Sequence, residues 1–351
     1  MIKPLKFSLL LLIFTAYSCK QEALKDYLPE ATGPLSEVLI VADRSLLDSE
    51  VGDRLRSYLQ TRQLGLGVDE PTLDLRPLQP NLFRGAIMRN RNVVVIDFDT
   101  LSRSHIKRNL YAEPQHIAVI KGRTEVELIQ NIDLIGIQMV DSFRTSDLKV
   151  AQQRFRRSLY TEPRLKKLMG IDLTLPSIYR PGVFNEDFIW IDRPIENGTM
   201  NLVIYPLDND RFSNKERFLE DIIAVRDSVG EANIPGPDIP NTKTFQITER
   251  IFRPYVFSAE VGGFNAAEVR GMWEISGYPM AGPFVSYIVN DTINQRKLVV
   301  DITYENESQM ILSNEFLFVF HSTIGSSSTE QLGILSLEEI KLFEFDSSDK
   351  I

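Results

Sequence analysis

The sequence predicts an α+β protein: two related units, each an antiparallel or mixed sheet with helices packed on it, after a lipoprotein signal peptide. Three observations predict it. Short apolar runs bounded by polar turns alternate with segments of helical spacing. The order strand, helix, proline-rich passage, Arg-Gly, strand pair occurs twice, with Arg84-Gly85 answered by Arg270-Gly271. Hydrophobic residues make up 43% of 351 positions, enough for one or two cores.

At the N-terminus Lys3 and Lys6 precede an apolar run over residues 7–14, and the small residues Thr15, Ala16 and Ser18 lead to Cys19, the only cysteine. That order is a signal peptide. Its apolar core is shorter than the roughly 20 residues a spanning helix needs. "AYSC" resembles a lipobox, in which the chain is cut before the cysteine and the thiol receives a diacylglycerol. Several acyl chains, at about 0.8 kcal/mol per buried methylene, anchor stably where one is marginal. The expected address is the cell envelope, lipid-anchored at the outer membrane and facing the periplasm. "CKQE" weakly matches the charged signals that send some lipoproteins to the cell surface. A lipidated Cys19 is no nucleophile, metal ligand or disulfide partner. Removing residues 1–18 takes away Lys3 and Lys6 and moves the formal charge from -9 to -11. So acidic a chain is a poor binder of nucleic acid.

Residues 19–34 read as a lipidated tether, 35–162 as the first domain, 163–301 as the second and 302–351 as an atypical tail. "EVLIVAD" (37–43) is a buried strand, and a helix over about 48–60 carries Val51, Leu55, Tyr58 and Leu59 on one face. A proline-punctuated passage follows, then "RGAIMRNRNVVVIDFD" and "HIAVIKG", with two or three strands. Thr124 and Glu127 have capping-box spacing, and Leu128, Ile132, Ile135, Met139 and Phe143 recur at helical intervals, predicting a helix that runs toward Tyr160. In the second unit "LKKLMGIDLTLPSIYRP" gives a helix end and a strand, and "DFIWIDRP" and "MNLVIYPLD" give two more. Ser213 with Glu216 opens a helix bearing Phe218, Ile222, Val225 and Val229, and Gly230 marks its end. "RGMWEISGYPMAGPFVSYIVND" is a hairpin and "KLVVDITY" a strand.

The chemistry that can be read is mostly exclusion. His105, His116 and His321 are the only histidines, and none has another within local reach. With no HExxH and no CxxC, no metal or other cofactor is expected. GxSxG and GxxxxGK[ST] are both missing. Asp97 and Asp99 in "VVVIDFDT" point to one side at a strand end, where carboxylates catalyse in some folds and simply face solvent in most. The basic run over residues 154–167 reads as a solvated helix face before it reads as an anion site.

The most concentrated signal is "GGFNAAEVRGMWEISGYPMAGPFVSY", residues 262–287, with five glycines and the aromatics Phe264, Trp273, Tyr278, Phe284 and Tyr287. Two readings stand. Arg270, Trp273, Tyr278, Phe284 and Tyr287 line a groove beside a tight hairpin, or the aromatics are buried in the second core.

This motif, with the lipobox, "GPLSEVLIVAD" and "GIDLTLPSIYRP...DFIWI", resembles the Bacteroidota lipoproteins grouped as domain of unknown function 4837 (DUF4837), over roughly residues 19 to 301. The resemblance implies an envelope lipoprotein and brings no catalytic residue. It also makes "DTL" at Asp99, "DSV" at Asp227 and "DTI" at Asp291 similar to a short O-glycosylation motif of that phylum. Beyond Asp301 the chain departs from the family pattern, as a divergent or frame-shifted tail would. The favoured function is therefore binding of an envelope protein, peptide or glycan, through residues 262–287 or the cleft between the halves. The alternative is a carboxylate hydrolase built on Asp97 and Asp99.

Overall fold

The computed structural model describes residues 27–62, 64–65, 71–195, 198–306 and 324–325. Its first sheet is made of β1 (Glu37–Val41), β2 (Asp74–Leu78), β3 (Asn92–Phe98), β4 (Arg103–Arg108) and β5 (His116–Gly122), in the order β2-β1-β3-β5-β4. β1 pairs in parallel with β2 and β3, β3 pairs in parallel with β5, and only β4 runs antiparallel to its neighbour. A parallel strand at the centre of a sheet is covered on both faces, which explains why Val38, Leu39, Ile40 and Val41 are all buried.

Alternate residues feed different clusters. Val38, Ile40, Val94 and Ile96 meet α1 (Arg44–Leu47), α2 (Glu50–Leu59) and α3 (Glu125–Arg156). Leu39, Val41, Val93 and Ile117 pack under Leu78, Phe83, Ile87 and Tyr111, a thin cover that includes two 3-10 turns at Pro80–Leu82 and Gly85–Arg89. α3 begins as its spacing predicts. Thr124 Oγ1 accepts the Glu127 amide at 3.3 Å, and the Glu127 carboxylate accepts the Arg123 amide at 2.8 Å. The helix then runs unbroken for 32 residues with Leu128, Ile132, Ile135, Met139 and Phe143 buried. Gly136 is where α2 meets it: an added Cβ would lie 2.6 Å from the Tyr58 ring.

The second sheet is antiparallel throughout. After α4 (Pro163–Met169) and β6 (Asp172–Leu173) come β7 (Arg180–Phe184), β8 (Ile189–Ile195) and β9 (Gly198–Asp208). α5 (Phe218–Asn233), β10 (Gln246–Thr248), β11 (Tyr255–Val261), β12 (Phe264–Ile275), β13 (Tyr278–Asp291) and β14 (Arg296–Asn306) follow. Their order is β10-β12-β13-β14-β9-β8-β7, with β11 also on β12, and β15 (Ile324–Gly325) pairs with β6. α5 covers one face through Ile222 and Val225, and α4 packs Leu165 and Met169 against the other. Among the described residues no helix is long and apolar enough to cross a membrane.

The α+β class and the two sheets agree with the sequence reading, whereas the duplication does not. One sheet is largely parallel and the other wholly antiparallel, and the two Arg-Gly pairs differ in role. Gly85 opens a 3-10 turn at φ +63°, while Gly271 lies inside β12, where a Cβ would come within 2.8 Å of Phe284 and 3.0 Å of Pro254. Two helix signals also move. Asn214, not Ser213, accepts the Glu216 amide, at 3.0 Å, and opens a 3-10 turn that leads into α5. Gly230 does not stop α5. It sits inside the helix because a Cβ there would lie 2.0 Å from the Gln246 carbonyl oxygen, so glycine lets helix and β10 touch. β14 continues past Asp301 to Asn306. Cys19, His321 and nearly all of the atypical tail lie outside the described residues.

Candidate functional site

The first sheet builds a cleft at the carboxyl ends of β1 and β2, the end at which parallel sheets receive ligands. β1 gives way to Ala42 and Asp43, and the chain turns into α1. Ser49 then caps α2, its Oγ accepting the Val51 amide at 3.2 Å. Gly52 lets the two helices abut, since a Cβ would fall 2.1 Å from the Leu47 carbonyl oxygen. β2 lies at the sheet edge. These elements enclose about 510 Å³, within the roughly 300–1,000 Å³ usual for ligand sites.

Leu47, Leu75 and Pro77 supply the apolar surface, with Ile40 and Leu55 buried beneath it, and Arg44, Asp48, Arg56, Gln60 and Gln79 supply the polar one. Arg44 faces Asp48 at 3.3 Å in the open. Arg56 Nη2 donates to Asp53 at 2.7 Å and to the Leu47 carbonyl at 3.1 Å, which fixes its guanidinium beside the cleft. Two guanidiniums and two carboxamides against one carboxylate make the rim rich in donors. Such a site suits an apolar group joined to carbonyl or carboxylate oxygens.

The aromatics of residues 262–287 are mostly elsewhere than on a surface. Trp273 is buried, with Nε1 donating to the Tyr304 carbonyl at 3.2 Å. Gly282 serves that packing, because a Cβ would lie 2.2 Å from the same oxygen. Phe284 is fully buried beneath the Arg226 guanidinium, 3.4 Å from its ring centroid. Tyr287 is buried too, and its hydroxyl donates to Glu268 Oε2 at 2.5 Å. Arg270 is mostly buried and donates to the other Glu268 oxygen. Only Tyr278, at the hairpin turn, is exposed among the five. The aromatic-groove expectation thus yields to the core reading, because both faces of this sheet are covered: Trp273 and Phe284 pack in the cluster beneath α5, and Tyr287 packs in the one beneath α4.

Arg270 and Glu268 also mark the junction of the halves. Burial pushes the Arg144 guanidinium of α3 below its usual value, with the Arg270 charge adding and Glu268 opposing. Gly65, at φ +85°, abuts the Arg270 side chain, where a Cβ would meet Arg270 Cβ at 2.7 Å.

The carboxylates of the alternative reading are engaged separately. Asp97 pairs with Lys121 at 2.8 Å. Asp99 accepts the Leu101 amide at 3.3 Å and faces Arg103 at 3.5 Å, and the amide contact, with Thr100, Arg103 and Lys121, holds its carboxyl below the usual range. A carboxyl held below its usual range, as that of Asp99 is, is the opposite of an acid kept protonated for catalysis. Among the described residues no three His, Cys, Asp or Glu side chains gather as metal ligands. The basic run splits between the end of α3 and the start of α4, where Arg164 pairs with Glu162.

His116 lies on β5 with Nδ1 buried and unpaired. Burial pushes it down to about 4, with Arg108 and Lys149 adding. Its unfolded value is near 6.5, so between the two pH values the unfolded chain binds more protons. Its stabilising contribution is complete above pH 6.5 and is lost as pH falls through 4. Allowing for partial exposure, the loss is expected at about 2 kcal/mol. Urea denaturation at pH 7 and pH 4.5 reads it, and His116→Gln should flatten the slope.

Residues 158–306 match the model of a family described as domain of unknown function (DUF4837), and residues 31–156 match a second, domain of unknown function (DUF8532). No curated protein and no solved structure matches this chain. The resemblance to the first family is thus shown for the antiparallel half. Its expected span of 19 to 301 is corrected, since "GPLSEVLIVAD" falls within the second match. Two different family models over the two halves accord with two different sheet topologies.

Proposed function

We propose that this protein is a cell-envelope lipoprotein, held at the outer membrane by acyl chains on Cys19, and that it binds a peptide in the cleft between α1, α2 and β2 without catalysing a reaction. The composition of the cleft carries the reading. An apolar side chain fits against Leu47, Leu75 and Pro77, and the ligand's carbonyl or carboxylate oxygens fit the Arg44, Arg56, Gln60 and Gln79 rim. β2 adds to the fit. Among the described residues it pairs with β1 alone, so its outer edge offers backbone groups to an extended peptide, the usual way a sheet edge recognises one. The envelope address is supported by the signal peptide and lipobox, which ask for no particular fold.

Site-specific photocrosslinking tests the cleft. A crosslinker at exposed Gln79 should capture a defined envelope peptide or protein segment that a crosslinker at exposed Lys215, on the other half, does not. Equal capture from both positions would contradict the reading. The address has its own test: the mature native protein should begin at Cys19 with a diacylglycerol on its thiol, read by intact mass, and an unmodified Cys19 would refute acyl anchoring.

A further inference from the structure

The turn between β10 and β11 presents two large apolar side chains to solvent on a rigid mount. Glu249 is buried. Its amide donates to the Met272 carbonyl at 2.9 Å, and its two carboxylate oxygens accept the Ile251 amide at 2.5 Å and the Phe252 amide at 3.0 Å. Pro254 is buried at the other end, against Gly271. Between these anchors Arg250, Ile251, Phe252 and Arg253 are all exposed, Ile251 at 85% and Phe252 at 59%. Among the described residues no valine, leucine or isoleucine is more exposed than Ile251. Arg250 pairs with Asp227, which steadies the turn from the side of α5. Arg253 has no ion-pair partner among the described residues. Tyr255, half-exposed beside it, stacks on Phe257 with ring centroids 6.4 Å apart.

We propose that this turn is a membrane-contact wedge: Ile251 and Phe252 enter the boundary between lipid headgroups and acyl chains, with Arg253 on a lipid phosphate and Tyr255 at the interface. The inference rests on the acyl anchor at Cys19, and it adds a fixed orientation of the body on the bilayer. Apolar tips with flanking arginine and tyrosine are the composition that the interface selects. Chain length supports a lipid occupant. Among the described residues the first one held by the rest of the fold is Pro29, whose carbonyl accepts the Glu113 amide at 2.9 Å, and it lies 10 positions after Cys19. Even fully extended, such a segment reaches only about 33–36 Å, so the body is held within that distance of the bilayer and one of its faces can rest on it. A water-facing isoleucine and phenylalanine, locked outward by a buried carboxylate, suit that face.

The test is the Phe252→Trp protein, carrying its own anchor, in vesicles of phosphatidylethanolamine and phosphatidylglycerol with or without brominated acyl chains. Trp190 and Trp273 provide the background, read from the parent protein. The added fluorescence should be blue-shifted and lowered about twofold or more by brominated lipid, as for a ring seated at the acyl boundary. Ile251→Asp in the same background should abolish the quenching while the protein still floats with the vesicles. Protein that floats but shows no bromine-dependent quenching would overturn the wedge and leave the turn to a protein partner. A native protein whose intact mass shows no acyl group on Cys19 would overturn the anchor instead. Quenching on simple addition to the same vesicles would then support the wedge alone, and its absence would reject it.

Discussion

Replacing Asp147 with alanine is expected to lower the free energy of unfolding by about 3–5 kcal/mol, the cost of leaving one partner of a buried ion pair behind. The Asp147 side chain is fully buried on α3, and Arg91, 2% exposed, donates to it at 2.8 Å. Asn92 Nδ2 donates at 2.9 Å and the Ser36 amide at 2.8 Å. Arg91 also donates to the carbonyls of Gly33 and Pro34, at 3.1 and 3.2 Å. Three parts of the first unit thus converge on one carboxylate: the entry to β1, the start of β3 and the far half of α3. Burial pushes its carboxyl up, and Arg91, Ser36 and Asn92 oppose the shift. Urea denaturation followed by circular dichroism measures the loss. Arg91→Met with Asp147→Leu should recover most of it, because an apolar pair leaves no buried charge unmatched. A single Asp147→Ala variant within about 1 kcal/mol of the parent would contradict the role assigned to the pair.

Asp301→Ala should cost a similar amount in the second unit, again about 3–5 kcal/mol. Arg226 on α5 is 3% exposed and reaches Asp301 on β14 at 2.9 Å. The same guanidinium donates to Thr248 Oγ1 at 2.8 Å and Ser286 Oγ at 3.2 Å, and Ser286 in turn donates to Asp301 at 2.5 Å. With Phe284 against its face, this arginine fixes the register of α5 on three strands. Asp301→Asn keeps the shape and a hydrogen-bond acceptor but removes the charge, so its cost should fall to about 1–3 kcal/mol. Equal losses for the two substitutions would mean that the charge, which both remove, holds the helix, and not the shape and acceptor that asparagine keeps.

The helices and most strands were legible because their apolar residues repeat at the period of the element that buries them, as from Leu128 to Phe143 on α3. Strand pairing was not. Whether β1 lies parallel to β3 depends on the path of the intervening chain, and Pro77 hid β2 within a proline-rich passage. β4, "RSHIKR", is too polar to stand out, as an edge strand can be. The glycines of residues 262–287 were correctly singled out, but glycine enrichment signals close approach of any kind. Here Gly271 and Gly282 make room for Phe284, Trp273 and a backbone oxygen rather than for a ligand. The cleft gave no signal in advance. Its floor uses ordinary core residues such as Ile40 and Leu55, its charges are ion-paired in part, and four separate elements supply the lining. No spacing records that convergence.

Binding in this cleft is the central claim, and titration tests it most directly. The peptide recovered by crosslinking from Gln79 is synthesised and titrated into the native protein and into Arg44→Glu. The native side chain is 84% exposed, so the substitution leaves the core intact. The reversed charge at the rim should weaken binding about tenfold or more, roughly 1.4 kcal/mol, and the affinity of the native protein should fall as salt rises. Equal affinity for the two proteins, with the fold of both intact, would place the ligand elsewhere on the molecule.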